Sequence, residues 1–213
     1  MAFSCELLGV SKQYGGRDIL VSFDLQIKAG EMIAITGPSG TGKSTVLNMF
    51  GLLDVPDSGE VRILGGKAPR PSTRAANRLR RRHLGYLFQN FALIDNESVG
   101  HNLDLALTYS DGGISKRQRI ADALMQVDLP ESEHRKIYSL SGGEQQRVAV
   151  ARLLLKPCDI VLADEPTGSL DADNRDFVLG LLRRINKAGK TVVLATHDDI
   201  VARSCSHVIT IAS

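Results

Sequence analysis

Apolar and polar positions alternate loosely through the first thirty residues: FSCELLGV, a turn at Tyr14-Gly15-Gly16, then ILVSFDLQIKAG. That period-two pattern predicts antiparallel strands joined by a glycine turn. After Ala29-Gly30 the pattern changes. EMIAITG is a nearly unbroken apolar run, as a strand covered on both faces requires, and it feeds a glycine-rich loop and a helix predicted over Lys43 to Phe50. DVPDSGEVRILGGK sets turn residues on both sides of a short strand, and LGYLF, Leu84 to Phe88, reads as another strand. From Ser98 to about Ala151 the spacing is helical, through VGHNLDLALTYS, SKRQRIADALMQVDL and a helix opened by Gly142-Gly143. Strands resume with DIVLAD, followed by a helix over about Asp171 to Lys187, the strand KTVVLAT and a last strand, HVITIA. Strands alternating with helices predict an α/β fold: a mainly parallel sheet with helices on both faces, interrupted by a helical lobe.

With 213 residues, 43% of them hydrophobic and 23% charged, the chain has the composition of one globular domain. Its apolar runs fall far short of the roughly 20 residues that cross a bilayer. The opening MAFSCELLGV lacks a basic segment, an apolar core and a small-residue cleavage site, so the expected location is cytoplasmic. Cys5, Cys158 and Cys205 show no metal-ligand spacing and read as small buried hydrophobes. The net charge of +2 points to no partner class. Six of the seventeen arginines, at 70, 74, 78, 80, 81 and 82, form the one marked local cluster, whose plainest reading is a solvated helix face.

GPSGTGKST places Gly37, Pro38, Ser39, Gly40, Thr41, Gly42, Lys43, Ser44 and Thr45 in the pattern G-x-x-x-x-G-K-[ST], between a strand and a helix. Glycines let successive N–H groups face a polyphosphate, and the helix adds the positive end of its dipole. Lys43 is expected at the β- and γ-phosphates, Ser44 at Mg²⁺, and Thr45 at a phosphate nearer the sugar. Asp164 and Glu165 end an apolar strand, where open α/β sheets bind ligands. Carboxylates beside a triphosphate call for a cation between them, held through water by Asp164, while Glu165 is placed to orient or deprotonate an attacking water. In LSGGEQQ, Ser141 and Glu144 form a capping-box pattern, and Ser141, Gly142 and Gly143 also offer N–H groups to a second anion.

Taken together, GPSGTGKST, LSGGEQQ and ADEPTGSLD resemble the motifs of ABC (ATP-binding cassette) ATPases, a resemblance that covers essentially the whole chain. It implies a P-loop NTPase core with an antiparallel β part over residues 1–97 and 157–213, and a helical part over 98–156. It implies ATP and Mg²⁺ as cofactors. By the same resemblance Tyr14 stacks on adenine, Gln89 contacts Mg²⁺ and the water, His197 touches the γ-phosphate and holds Glu165, and Asp171 is the aspartate of the loop GSLD. Ser141 and Gly143 are expected on the γ-phosphate of a nucleotide held by another copy's Lys43, so that two head-to-tail copies close around two nucleotides.

Implied partners are integral-membrane permease subunits that dock near residues 89–102, with the chain peripheral on the inner face of the cell membrane. Within the family, FQNFALIDNESVGHNL and DEPTGSLD look similar to export and lipoprotein-release types, especially a lactococcin-like bacteriocin-export group. A soluble family member acting on nucleic acid or ribosomes through the arginine cluster is a second reading, and a regulator that transmits ATP-driven motion across the membrane is a third. Long coiled-coil insertions and a second cassette, the marks of DNA-repair and translation members, are absent from the sequence, and no nucleic-acid partner is expected.

Overall fold

A computed structural model describes residues 2–108, 115–168 and 170–211. Strand β1 (Phe3–Tyr14) pairs antiparallel with β2 (Arg17–Lys28) across the glycine turn. Next come β3 (Met32–Thr36), α1 (Lys43–Phe50), β4 (Ser58–Ile63) and β5 (Gly66–Lys67). The strands of the first sheet lie in the order β2-β1-β4-β5, all antiparallel.

Helix α2 (Arg74–Arg82) precedes β6 (Leu84–Leu87). Thr73 caps it, its hydroxyl accepting from the Ala76 N–H, so five of the six clustered arginines lie on a helix, while Arg70 precedes it. That helix is not wholly solvated: Arg80 donates to the carbonyls of Leu52 at 2.5 Å and Pro71 at 2.9 Å. Strand β6 stops one residue before the expected Phe88, whose ring stacks on Tyr86 with centroids 4.0 Å apart. The helical stretch holds α3 (Val99–Asp104), a 3-10 turn over Leu105–Leu107, α4 (Lys116–Gln126) and α5 (Gly142–Leu155). The expected continuation of α3 through Tyr109 and Ser110 lies outside the described residues.

Strand β7 (Ile160–Asp164), α6 (Ala172–Lys187), β8 (Thr191–Ala195), α7 (Asp199–Arg203) and β9 (His207–Thr210) complete the chain. The second sheet is parallel throughout, in the order β6-β7-β8-β3-β9. Its unbroken apolar strands serve two cores. In β7, Ile160 and Leu162 pack with α1 and the antiparallel sheet, while Val161 and Ala163 pack with the helical side. Side chains alternate faces along a strand, so a strand buried on both sides has no room for a polar alternate. Among the described residues, no helix is long and apolar enough to cross a membrane.

Candidate functional site

A parallel sheet presents all its carboxyl ends at one edge, and here β3, β8 and β7 are consecutive neighbours. The loops that leave them carry Gly37–Gly42, Thr196–His197 and Asp164–Glu165. The order of strands therefore brings Gly37–Gly42 to segments more than a hundred residues further along the chain.

The phosphate loop is held partly by bonds within itself. Thr41 Oγ1 donates to the Pro38 carbonyl at 3.0 Å, and Lys43 Nζ donates to the carbonyls of Gly37 and Pro38, both at 2.8 Å. Lys43 is 8% exposed, while Pro38, Ser39 and Gly40 stand at the exposed crest. Gly42 caps α1 at φ 101°, and a Cβ there would meet Ile19 Cγ2 at 2.7 Å. Glycine is required both for the left-handed backbone and for the close approach. Thr45 is buried within α1.

Ser44 Oγ donates to Asp164 Oδ1 at 3.0 Å and so joins the loop to β7. Burial pushes the Asp164 carboxyl above its usual range; the Ser44 bond offsets part of that rise and the Glu165 charge adds to it. Glu165 sits at φ 45°. A left-handed non-glycine residue costs energy and persists where the surroundings over-determine it. Its N–H donates to the Ala195 carbonyl at 2.9 Å, and its Oε1 lies 2.8 Å from His197 Nδ1. With the carboxylate accepting, the imidazole proton sits on Nδ1, and Nε2 stays free for another partner. Gln89 follows β6 in an exposed turn and lines a narrow cleft with Glu165, Gln146 and Gly168.

The signature segment behaves differently. Ser141 and Glu144 form the full capping box: the Glu144 N–H donates to Ser141 Oγ at 3.3 Å, and the Ser141 N–H donates to Glu144 Oε2 at 2.8 Å. Arg135, at 2.7 Å, is the main reason the Glu144 carboxyl is held below its ordinary value. Gly142 faces open space, and a Cβ on Gly143 would touch Asn174 at 3.1 Å. Asn174 is held in turn by Asp171, which caps α6 and accepts from the Asn174 N–H at 2.9 Å and from its Nδ2 at 2.8 Å. No hydrogen bond or ion pair among the described residues joins Ser141 to the phosphate loop.

Tyr14, at the end of β1, is 47% exposed; its hydroxyl donates to Asp54. The sequence reading assigned no role to Asp54, to Lys12 or to Gln146, whose Nε2 donates to the Pro166 carbonyl at 2.5 Å and ties the signature helix to the turn after Glu165. Lone polar residues carry no periodic signal, and Gln146 could be found only as part of the heptapeptide. Among the described residues no cluster of three or more His, Cys, Asp or Glu side chains could hold a metal unaided. Ser44 and Asp164, joined at 3.0 Å, offer oxygen donors, which suit a hard cation completed by phosphate and water.

Arg152 anchors the segment after Gln89 by donating to the carbonyls of Phe91 at 2.7 Å and Ala92 at 2.5 Å. Phe91 and Ala92 are both left-handed, at φ 61° and 47°. Beside them opens a groove of about 430 Å³, with Tyr86, Phe88, Leu105 and Leu153 in its lining and Arg80, Arg152 and Lys156 among its cations. Burial lowers the proton affinity of both Arg152 and Lys156.

Residues 20–168 match the family described as ABC transporter. The chain belongs to the ABC transporter family. This cassette is 44% identical to the macrolide export ATP-binding/permease protein MacB of Escherichia coli, over 96% of this chain and 32% of that protein. It is 42% identical to MacB of Nitrosomonas europaea, over 97% of this chain and 32% of that one. The cassette thus spans about a third of these relatives' length. In structure it superimposes on the dimeric bacterial ABC transporter cassette MJ0796 with a TM-score of 0.89 and 39% identity, covering 98% of this chain and 94% of that one. A post-hydrolysis dimer of MJ0796 bound to ADP and Pi gives a TM-score of 0.87 at 38% identity, covering 97% and 94%. The ABC ATPase fold expected from the sequence is therefore the observed one.

Proposed function

We propose that this cassette binds and hydrolyses ATP and that two copies close head to tail around two nucleotides to drive integral-membrane permease subunits in export. The convergence of Lys43, Ser44, Asp164, Glu165 and His197 at the ends of three adjacent strands carries this reading. Gly37–Gly42 and Lys43 hold the polyphosphate by backbone N–H groups and one ammonium. Ser44 and Asp164, with Gln89, would hold Mg²⁺, which supplies positive charge between phosphates and carboxylates when bound. Glu165 takes the proton of the attacking water, and His197 keeps that carboxylate aimed through the 2.8 Å contact. Ser141 and Gly143, which face away from internal partners other than a helix cap and Asn174, complete the partner copy's site.

The groove beside Phe91 and Ala92 is the seat of the membrane subunit; it meets the segment expected for it, residues 89–102, only at Ala92, the rest of its lining flanking that segment, and the cassette lies at the inner face of the cell membrane. The relatives named above support export, with macrolides in their names; a bacteriocin-like peptide or another hydrophobic substrate remains this chain's proposed cargo on its sequence alone. The nucleic-acid reading is weaker because Arg80 is committed to the Leu52 and Pro71 carbonyls.

Glu165→Gln tests the proposal. Turnover should fall by about a thousandfold, the usual worth of a positioned base, while ATP converts monomer to dimer in light scattering. A variant that stays monomeric at saturating ATP would contradict the shared site.

A further inference from the structure

The polar residues beneath Tyr14 form a chain. Lys12 and Tyr14 are two apart on β1 and share a face of the strand. Lys12 Nζ donates to Asp54 Oδ1 at 3.0 Å and to the Val55 carbonyl at 2.8 Å, and lies 5.0 Å from the centroid of the Tyr14 ring. The Tyr14 hydroxyl donates to the other oxygen of Asp54. Lys12 is 7% exposed, and a buried ammonium persists only where it is paired and hydrogen-bonded. Asp54 is itself fastened to the phosphate-loop helix, for its N–H and that of Leu53 donate to the Asn48 carbonyl of α1 at 3.3 and 2.8 Å. Thr45, the last residue of the phosphate motif, lies in that same helix.

We propose that Asp54, held by Lys12, is a positioning residue that fixes the Tyr14 ring through its hydroxyl as the platform for the nucleotide base, at a set distance from the phosphate loop. The inference rests on the reading that Tyr14 stacks on adenine. The Lys12 ammonium takes one side of the ring and leaves the base the other, and the Asp54 tether removes the rotamer freedom that stacking would otherwise have to freeze. Proton affinities agree with this chain of bonds. Burial opposes charge on both Lys12 and Asp54, yet Asp54 and Asp57 leave the ammonium raised, and the Tyr14 and Lys12 bonds leave the Asp54 carboxyl lowered. Burial and the Asp54 bond together raise the Tyr14 phenol, keeping it a donor.

The test is calorimetric binding of ATP and of inorganic tripolyphosphate, both with Mg²⁺, to Tyr14→Ala, Tyr14→Phe, Asp54→Ala and the double variant Tyr14→Phe with Asp54→Ala. Tyr14→Ala should weaken ATP by about tenfold, the worth of one stacked base. Tyr14→Phe and Asp54→Ala should each cost about threefold, with the double variant no worse than the poorer single one, and tripolyphosphate affinity should be unchanged throughout. If Tyr14→Phe binds ATP as the parent does while Tyr14→Ala fails, the tether is idle and the proposal falls, with the platform reading intact. If Tyr14→Ala changes nothing, the platform reading itself fails. Equal loss of ATP and tripolyphosphate in Asp54→Ala would make Asp54 a fold-holding residue and overturn the proposal. Should Asp54→Ala not fold, Tyr14→Phe decides alone.

Discussion

The phosphate loop and the signature loop both lead glycines into the N-terminus of a helix, yet they are built in opposite ways. The first is closed on itself: Lys43 is buried against two carbonyls of its own loop, and Ser44 is bonded to Asp164 on a neighbouring strand. At the second, Ser141 is exposed, its cap is satisfied locally by Glu144, and Gly142 looks onto open space. One finished half and one open half in the same chain fit the proposed site shared between two copies, in which a two-fold axis would make two whole sites.

Lys43→Ala attacks the closed half. Removing the charged donor should weaken ATP binding by about a hundredfold in titration calorimetry, and normal hydrolysis by this variant would reject the loop assignment. Ser141→Ala attacks the open half. It should leave ATP affinity of the monomer unchanged yet weaken ATP-driven dimerisation in the Glu165→Gln background by about fivefold. Losing the cap should also cost the helix about 1 kcal/mol in denaturant unfolding. If Ser141→Ala lowers monomer affinity as Lys43→Ala does, the two loops serve one chain and the contrast between them disappears.

The smallest effect concerns Asp164. Its proton affinity is higher in the fold than in the unfolded chain, chiefly through burial. The stability it contributes is therefore present at low pH and is lost as pH climbs from the ordinary carboxylate value through the raised one. Asp164→Asn should raise the melting temperature of the nucleotide-free protein at neutral pH and flatten its decline across that window. A lower melting temperature would show that the Ser44 bond outweighs the burial of charge.

Residues gathered in short motifs were legible in the chain. Gly37–Thr45, the Asp164-Glu165 pair and LSGGEQQ are each contiguous, so their chemistry could be read from spacing alone. His197 and Gln89 came from family resemblance, and the structure sets them in the surroundings of Glu165. Lys12, Asp54 and Gln146 carry no local signal because each acts through long-range bonds, Lys12 to Asp54 and Asp54 to Tyr14 across 42 and 40 residues and Gln146 to Pro166 across 20. Helix α2 carries its own start signal, Thr73 ahead of RAANRLRRR, in a segment whose dense charge masks any apolar period.

Local pattern by itself determined which segments are strands and helices and which loops carry phosphate chemistry, because periodicity and glycine placement are properties of neighbours along the chain. Strand order was decided only in three dimensions. The order β7-β8-β3 sets His197 at Glu165 and leaves Ser44, at the start of α1, within reach of Asp164 across β8, and strand order depends on burying both faces of each strand at once, a constraint that no short window of sequence contains.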